Sequence, residues 1–355
     1  MSASTTSSES AARTRGTPSK HVRRRAPRGV AAGAAAVCVL LLAVGALWGL
    51  SLGSQQMSWP DVLSSVFHGN STGVEIVRMI RLPRVVLALL VGAALAVAGA
   101  VMQAITANPV AAPDIMGVNA GASAVVVAAI TVAPSLAGAP SIVLALAGAA
   151  AAGIAVMGLA GMGTGKVSPV RLALAGVTAS ALLVSLTQVL VIFHENDTQS
   201  VLFWLVGGVN FAQWQDIVTV LPWTLGGLLA AMALGRSLNL LALGEDMARG
   251  LGQNVERTRA LGALVVIVLC GASVAVAGPI VFVGLIAPHI VRRIVGSDHL
   301  VVLPLSMLVG AAITLYADIG SRYVNPPFEV PTGVVSALVG APIFIYLARR
   351  QKAQR

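Results

Sequence analysis

The segment GAALAVAGAV, Gly92–Val101, returns as GASVAVAGPI, Gly271–Ile280, with six of ten residues identical, and the same offset of 179 carries Pro109 onto Pro288. Each copy lies in an apolar run of about 20 residues, the length of helix that crosses a hydrocarbon core roughly 30 Å thick. Gly92, Gly99, Gly271 and Gly278, with the neighbouring Ala and Ser residues, let such helices approach closely. The fold turns on the directions in which the two copies cross.

Of 355 residues, 57% are apolar and 10% are charged, against about 25% charged in an average soluble protein. The chain reads as an all-α membrane protein. Nearly uncharged runs lie at 30–50, 85–105, 117–133, 141–162, 171–193, 216–234, 260–279, 300–320 and 331–348, with a shorter element between Val281 and Ile294 interrupted by Gly284 and Pro288. About ten transmembrane helices are expected, one of them partial.

Direction follows from Lys and Arg, which accumulate in cytoplasmic segments. With both termini cytoplasmic, the inner segments 1–29, 163–171, 236–259, 292–299 and 349–355 hold 19 of the 23 basic residues. The first copy then crosses inward and the second outward. That is an inverted internal repeat, the arrangement by which two like halves of a transporter alternate around a midplane site. The net charge of +10 is mostly this topology signal, and without aromatic interleaving it gives no reason to expect a nucleic-acid partner.

Residues 1–29, basic and rich in Ser and Ala, read as a disordered cytoplasmic N-terminus. Residues 30–350 read as a single transmembrane domain, and 351–355 as a cytoplasmic tail. A signal peptide over the first 50 residues is the competing reading. The long apolar run and the lack of an A-x-A site after Trp48 favour a retained first helix. Cys38 and Cys270 both fall within spans, which suggests neither a disulfide framework nor a metal pair.

No catalytic set emerges. His21, His68, His194, His289 and His299 are scattered without metal-ligand spacing. GMGTGKV, Gly161–Val167, fails as a phosphate loop because Ala160 stands where the first Gly belongs and Val167 where Ser or Thr would reach magnesium. Acidic residues nearly vanish from span centres, where ion-coupled carriers keep ionisable groups; Asp318 is the nearest candidate, close to an outer end. No cofactor is implied, and active transport would draw its energy from another subunit.

LALGEDMARGLG, Leu241–Gly252, stands out within the inner segment 236–259. Gly244 can end one helix, Glu245 and Asp246 suit the start of the next, and Arg249 suits its end. Glu245 and Arg249 are also spaced for an i to i+4 pair. A solvated loop is the bland reading. The sharper one is a compact helical knob on which an ATPase acts.

Five motifs in order, RLPR (Arg81–Arg84), GAVMQAITANPVAAPDIMG (Gly99–Gly117), LALGEDMARGLG, AGPIVFVGLIAPHIVR (Ala277–Arg292) and EVPTGVVSALVGAPIF (Glu329–Phe344), resemble those of the FecCD-type permease subunits of iron-siderophore, haem and vitamin B12 importers. These are type II ATP-binding-cassette importers, and the resemblance spans about residues 75–350. Val110 and Met116 stand where Leu is commoner, and Val281 where Gly is commoner.

The resemblance implies a transmembrane permease subunit that imports a ferric siderophore and has no nucleotide site of its own. It implies a second permease subunit, identical or related, two ATPase subunits, an extracytoplasmic substrate-binding protein, and a place in the bacterial inner membrane. It assigns ATPase coupling to Ala242, Gly244, Glu245, Met247, Ala248, Arg249, Leu251 and Gly252. It assigns docking of the binding protein to Arg81, Arg84 and Arg322, although Arg84 at a helix end can also be a snorkelling residue. An inner gate is expected at Asn108, Pro109 and Val110, with a second half at Ser168, Pro169 and Val170. His289 reads as a packing or capping residue. Haem or vitamin B12 import by the same architecture, and an ion-coupled secondary carrier, remain the alternatives.

Overall fold

The computed structural model describes residues 28–53, 57–67, 73–132, 141–161, 169–193, 198–324 and 328–352. These residues are almost entirely helical. In chain order the helices are α1 (Arg28–Ser51), α2 (Trp59–Phe67), α3 (Val74–Ile105, with a π-helical turn at Val77–Arg81), α4 (Val118–Thr131), α5 (Ser141–Gly161), α6 (Pro169–Ile192) and α7 (Thr198–Val206). They continue with α8 (Trp214–Leu241), α9 (Glu245–Gly250), α10 (Val255–Ala277), α11 (Val283–Val295), α12 (His299–Ser321) and α13 (Thr332–Lys352).

Among the described residues, seven helices are long and apolar enough to cross a membrane: α1, α3, α5, α6, α8, α10 and α12. Each of the other three expected places also holds a helix. The apolar stretches of α4 and α13, Val118–Thr131 and Thr332–Tyr346, are shorter, and α11 has only 13 residues. The protein is a multi-pass membrane protein. The N-terminal segment expected to be disordered and the Gly161–Val167 near-motif lie mostly outside the described residues.

The span window of α3 is 83% buried, against 6% for α1 and 17% for α6, although α1 carries a larger share of Gly and Ala than α3, so composition alone does not pick out the central helix. Small residues let neighbours come within backbone contact, so dispersion and close packing hold the bundle where lipid offers no hydrophobic drive. A Cβ added to Gly99 would stand 1.8 Å from the Gly284 carbonyl oxygen, and one on Gly92 would stand 2.4 Å from that of Gly310. Gly121 and Gly148 bring α4 and α5 together in the same way, at 2.4 Å from the Gly148 carbonyl oxygen.

Helices α3 and α10 carry the two similar segments, and Gly262 near the start of α10 packs on Ile105 at the end of α3. The local structures of the two segments diverge. Gly92–Val101 is helical throughout, whereas Gly271–Ile280 leaves the helix after Ala277. Pro109 sits in a turn while Pro288 is inside α11. The offset of 179 therefore does not carry one half's helix breaks onto the other's.

Two ends of the bundle can be told apart by what they carry. One gathers the end of α8, α9, the start of α10 and the start of α12, tied by Asn239, whose Nδ2 donates to Asp298 (2.7 Å) and whose Oδ1 accepts from the His299 backbone N–H (2.9 Å). The other gathers the end of α1, the starts of α3 and α13, and the end of α12. It holds the cluster of arginines.

Candidate functional site

At the first end, α8 stops at Leu241 and the chain turns through Gly244, whose φ of 106° and ψ of 153° suit glycine and strain other residues. Glycine reaches this region because it has no Cβ to collide with the neighbouring carbonyl. The short α9 follows, with Glu245 and Asp246 in its first turn and Arg249 in its last, the charge order a helix dipole favours.

Ala248 is fully buried and anchors α9 to the bundle, while Leu243, Met247 and Leu251 remain 45%, 59% and 59% exposed. Ala242, Gly244, Arg249 and Gly252 are exposed as well. Arg249 Nη2 bridges Glu245 (2.7 Å) and Glu256 (2.5 Å), and Arg259 reaches Glu245 at 3.2 Å. Gln253 Nε2 donates to the Ser237 carbonyl and the Thr258 hydroxyl, both at 2.9 Å, joining the knob to α8 and α10. A second positive-φ glycine, Gly252 at 82°, and Asn254, whose side chain accepts from the Arg257 backbone N–H, start α10. The eight residues assigned to coupling thus lie on one short helix and its flanking turns.

At the other end, Arg81, Arg84 and Arg322 are buried. Arg81 and Arg84 are 5% and 6% exposed, and the Arg322 side chain is 8% exposed. Arg81 Nη1 donates to the carbonyls of Leu50 (2.7 Å) and Ser51 (3.1 Å), and Arg322 Nη1 to those of Gly49 (2.7 Å) and Leu52 (3.1 Å). These guanidinium groups satisfy carbonyls that the last turn of α1 leaves without helical partners. Arg78 does the same for α2, donating to the carbonyls of Ser65 and Val66 at 2.9 Å each.

Arg84 is the fourth member. Its Nε and Nη2 face Asp318 Oδ1 at 2.9 and 2.8 Å, and its Nη1 meets Glu329 Oε2 at 2.6 Å. The fully buried Asp318 also receives Arg322 Nη2 (2.7 Å) and Thr332 Oγ1 (3.2 Å). Asn210 Nδ2 donates to Glu329 at 3.2 Å. One network therefore joins α3, α12, the start of α13 and the connection between α7 and α8. In the sequence Asp318 stands out only as the nearest candidate for an ionisable group within a span, and Glu329, Thr332 and Asn210 carry no assigned role.

A third feature adjoins the arginine end. The end of α7, the end of α10 and the start of α13 meet backbone to backbone: Gly208 N–H donates to the Ala277 carbonyl (2.7 Å), and Gly333 N–H to that of Gly207 (2.9 Å). Gly278 has φ 63° and passes so close to the Trp204 carbonyl that a Cβ would lie 2.1 Å from it. Phe282, at φ 70°, then opens α11 and stacks near Phe344 of α13 at 6.4 Å between centroids. Non-helical backbone inside a membrane bundle is tolerated where protein or a water-filled path surrounds it. The Gly207-Gly208, Gly278-Pro279 and Pro331-Thr332-Gly333 runs were the available sequence signal for this junction.

Of the residues expected to form an inner gate, Asn108, Pro109 and Val110 lie in the turn after α3, where Asn108 Oδ1 accepts from the Val110 N–H at 3.1 Å. That connection is tied to α6 by Ser180 Oγ, which donates to the Asp114 carbonyl at 3.2 Å. Pro169 opens α6, Val170 is 78% exposed, and Ser168 lies outside the described residues. His289 Nε2 is buried with no hydrogen-bond partner. Among the described residues there is no group of three or more His, Cys, Asp or Glu residues able to hold a metal ion.

The chain is 42% identical over 315 residues to the Fe(3+)-citrate import system permease protein YfmD of Bacillus subtilis (strain 168), covering 88% of this chain and 93% of that one. It is 39% identical over 316 residues to the ferric enterobactin transport system permease protein FepD of Escherichia coli (strain K12), covering 88% and 94%. A solved structure of a transporter assigned to the metal-chelate type of ABC transporter, in an inward-facing conformation, superposes with a TM-score of 0.78 at 30% identity and covers 91% of this chain and 100% of that one. The model of the FecCD transport family matches residues 40–350. With nearly all of its folded length matched, and with the glycine-turned knob and the glycine-packed bundle in place, the chain belongs to the FecCD transport family.

Proposed function

We propose that this protein is the permease subunit of an ATP-driven importer of ferric siderophores in a bacterial cytoplasmic membrane. The observation that carries the reading is the knob: a glycine-turned helix anchored through Ala248 that presents exposed Met247 and Leu251 at the end of the bundle. Exposed apolar residues in an ordered projection suit a partner rather than solvent. Family membership makes an ATPase subunit the natural partner, and the relatives named for Fe(3+)-citrate and ferric enterobactin point to chelated iron as cargo.

In this reading ten helices cross the membrane with both termini inside, and two such chains, identical or related, flank a path. Residues Ala242–Gly252 transmit the ATPase's movement through α8 and α10. At the opposite end a binding protein docks around Arg81, Arg84 and Arg322, and the Asn108–Val110 and Ser168–Val170 segments form the inner gate. Each ligand drives the cycle only through its different affinity for the two states.

The deciding experiment is uptake of radio-iron as ferric citrate and as catecholate and hydroxamate siderophores, beside labelled haem and vitamin B12, in a deletion strain and its complemented parent. Loss confined to one ferric chelate, restored by the gene, supports the reading. Loss of haem or vitamin B12 uptake alone keeps the architecture and replaces the cargo. Uptake that survives ATP depletion but collapses with an uncoupler would make the protein an ion-coupled carrier.

A further inference from the structure

We propose that Glu329 is an internal stand-in for a partner's carboxylate: in the undocked permease it holds Arg84, and an acidic side chain of the docking protein exchanges with it. The inference rests on the docking reading given above. It starts from an asymmetry in how Arg84 is held. One edge of its guanidinium lies on Asp318, whose side chain is 0% exposed, while Nη1 is held by Glu329, whose side chain is 40% exposed.

The two carboxylates differ in how readily they let go. A buried ion pair loses a great deal when one partner leaves, because the other charge is stranded away from water. A half-exposed carboxylate regains hydration when it swings out, so its pairing contributes little. The Asp318 contact is therefore the fixed half of the site, and the Glu329 contact is the exchangeable half.

Occupancy says the incoming group should replace Glu329 rather than add to it. The Arg84 side chain is 8% exposed, with Nε and Nη2 on Asp318 and Nη1 on Glu329. A third carboxylate arriving with Glu329 still in place would find Nη1 taken and a like charge beside it. Arg81, close by, spends its Nη1 on backbone carbonyls at 2.7 and 3.1 Å.

Exchange at this position would also be felt inside. Glu329 lies three residues before Thr332, the first residue of α13, whose hydroxyl bonds the same Asp318. The next residue, Gly333, donates to Gly207 at the backbone junction of α7, α10 and α13. Glu329 further takes a hydrogen bond from Asn210 on the chain between α7 and α8. A carboxylate that displaces Glu329 therefore frees the start of α13 and the end of α7 together, and it connects an event at the outer face to that junction.

The test uses the whole importer in nanodiscs, with the purified extracytoplasmic binding protein of the same system as probe, and reads its Kd at low and high salt. Glu329→Gln keeps the shape and removes the competing charge. Docking should tighten by about fivefold, the scale of a half-exposed ion pair, with a steeper salt dependence, while Glu329→Asp stays near wild type. A purely structural Glu329 would instead give weaker docking on substitution. Unchanged or weaker docking by folded Glu329→Gln overturns the exchange. If Arg84→Gln weakens docking in that case, the docking site stands without the exchange; if neither variant alters docking, the docking reading falls as well.

Discussion

Arg84 and Asp318 are 234 residues apart in the chain, yet they meet through contacts of 2.8 and 2.9 Å with almost no exposure of either side chain. The pair fastens the central helix α3 to α12 at the end of the bundle where α1 also terminates. Removing one partner of such a pair leaves a buried charge without compensation, which costs about 3–5 kcal/mol. Asp318→Ala should therefore give a large fall in thermal stability of the detergent-solubilised protein, followed by fluorescence-detected size exclusion after heating. A melting profile identical to wild type would show that the network does not hold the helices together.

Gly244 sits at φ 106° with open space around it, so a side chain there meets backbone strain rather than a clash. Gly244→Val should cost about 1–2 kcal/mol locally and tilt α9 away from its present direction. The expected result is a complex that still assembles and hydrolyses ATP but imports several-fold less iron per ATP. Wild-type stoichiometry in reconstituted vesicles would count against a coupling role for the turn.

Met247 and Leu251 are each 59% exposed on the same knob whose Ala248 is buried. Charged replacements on this face should leave the permease's folding almost untouched, because exposed positions away from special features change stability by about 0.5 kcal/mol or less. Met247→Asp with Leu251→Asp should nevertheless abolish co-purification of the ATPase subunits. Retention of the ATPases through a stringent wash would remove the knob as their docking element.

Gly99 and Gly226 offer a paired test of the packing argument. A Cβ at Gly99 would overlap the Gly284 carbonyl oxygen at 1.8 Å, whereas Gly226 on α8 has nothing within 4 Å. Gly99→Ala should cost at least about 1–3 kcal/mol through forced separation of α3 and α11. Gly226→Ala should be neutral or stabilising by up to about 1 kcal/mol through helix propensity. Equal yields and melting temperatures for the two variants would refute close approach at Gly99.

The knob was legible because every signal in it is local: a glycine turn, acidic residues starting a six-residue helix, and a basic residue ending it. The seven long apolar helices were legible for a similar reason, since hydropathy and helix length are properties of contiguous residues. The arginines show the limit. Their type and their place near span ends were visible, but the groups they hold were not: Arg81 and Arg322 hold the end of α1, Arg78 the end of α2, and Arg84 two acids more than 230 residues away. A sequence carries no mark of which carbonyls a helix end leaves free for a distant side chain.

By itself, then, the amino-acid sequence determined a multi-spanning helical membrane protein with a knob at one end and arginines at the other, because those features follow from composition and spacing within single segments. Only the tertiary structure decided that α3 lies at the centre, that Arg84 and Arg322 are buried in an ion network around Asp318, and that glycines 207, 278 and 333 bring three chain breaks into backbone contact. Those outcomes depend on which helix faces meet. In a bundle packed by small residues, the meeting is set by close fit between surfaces far apart in the chain.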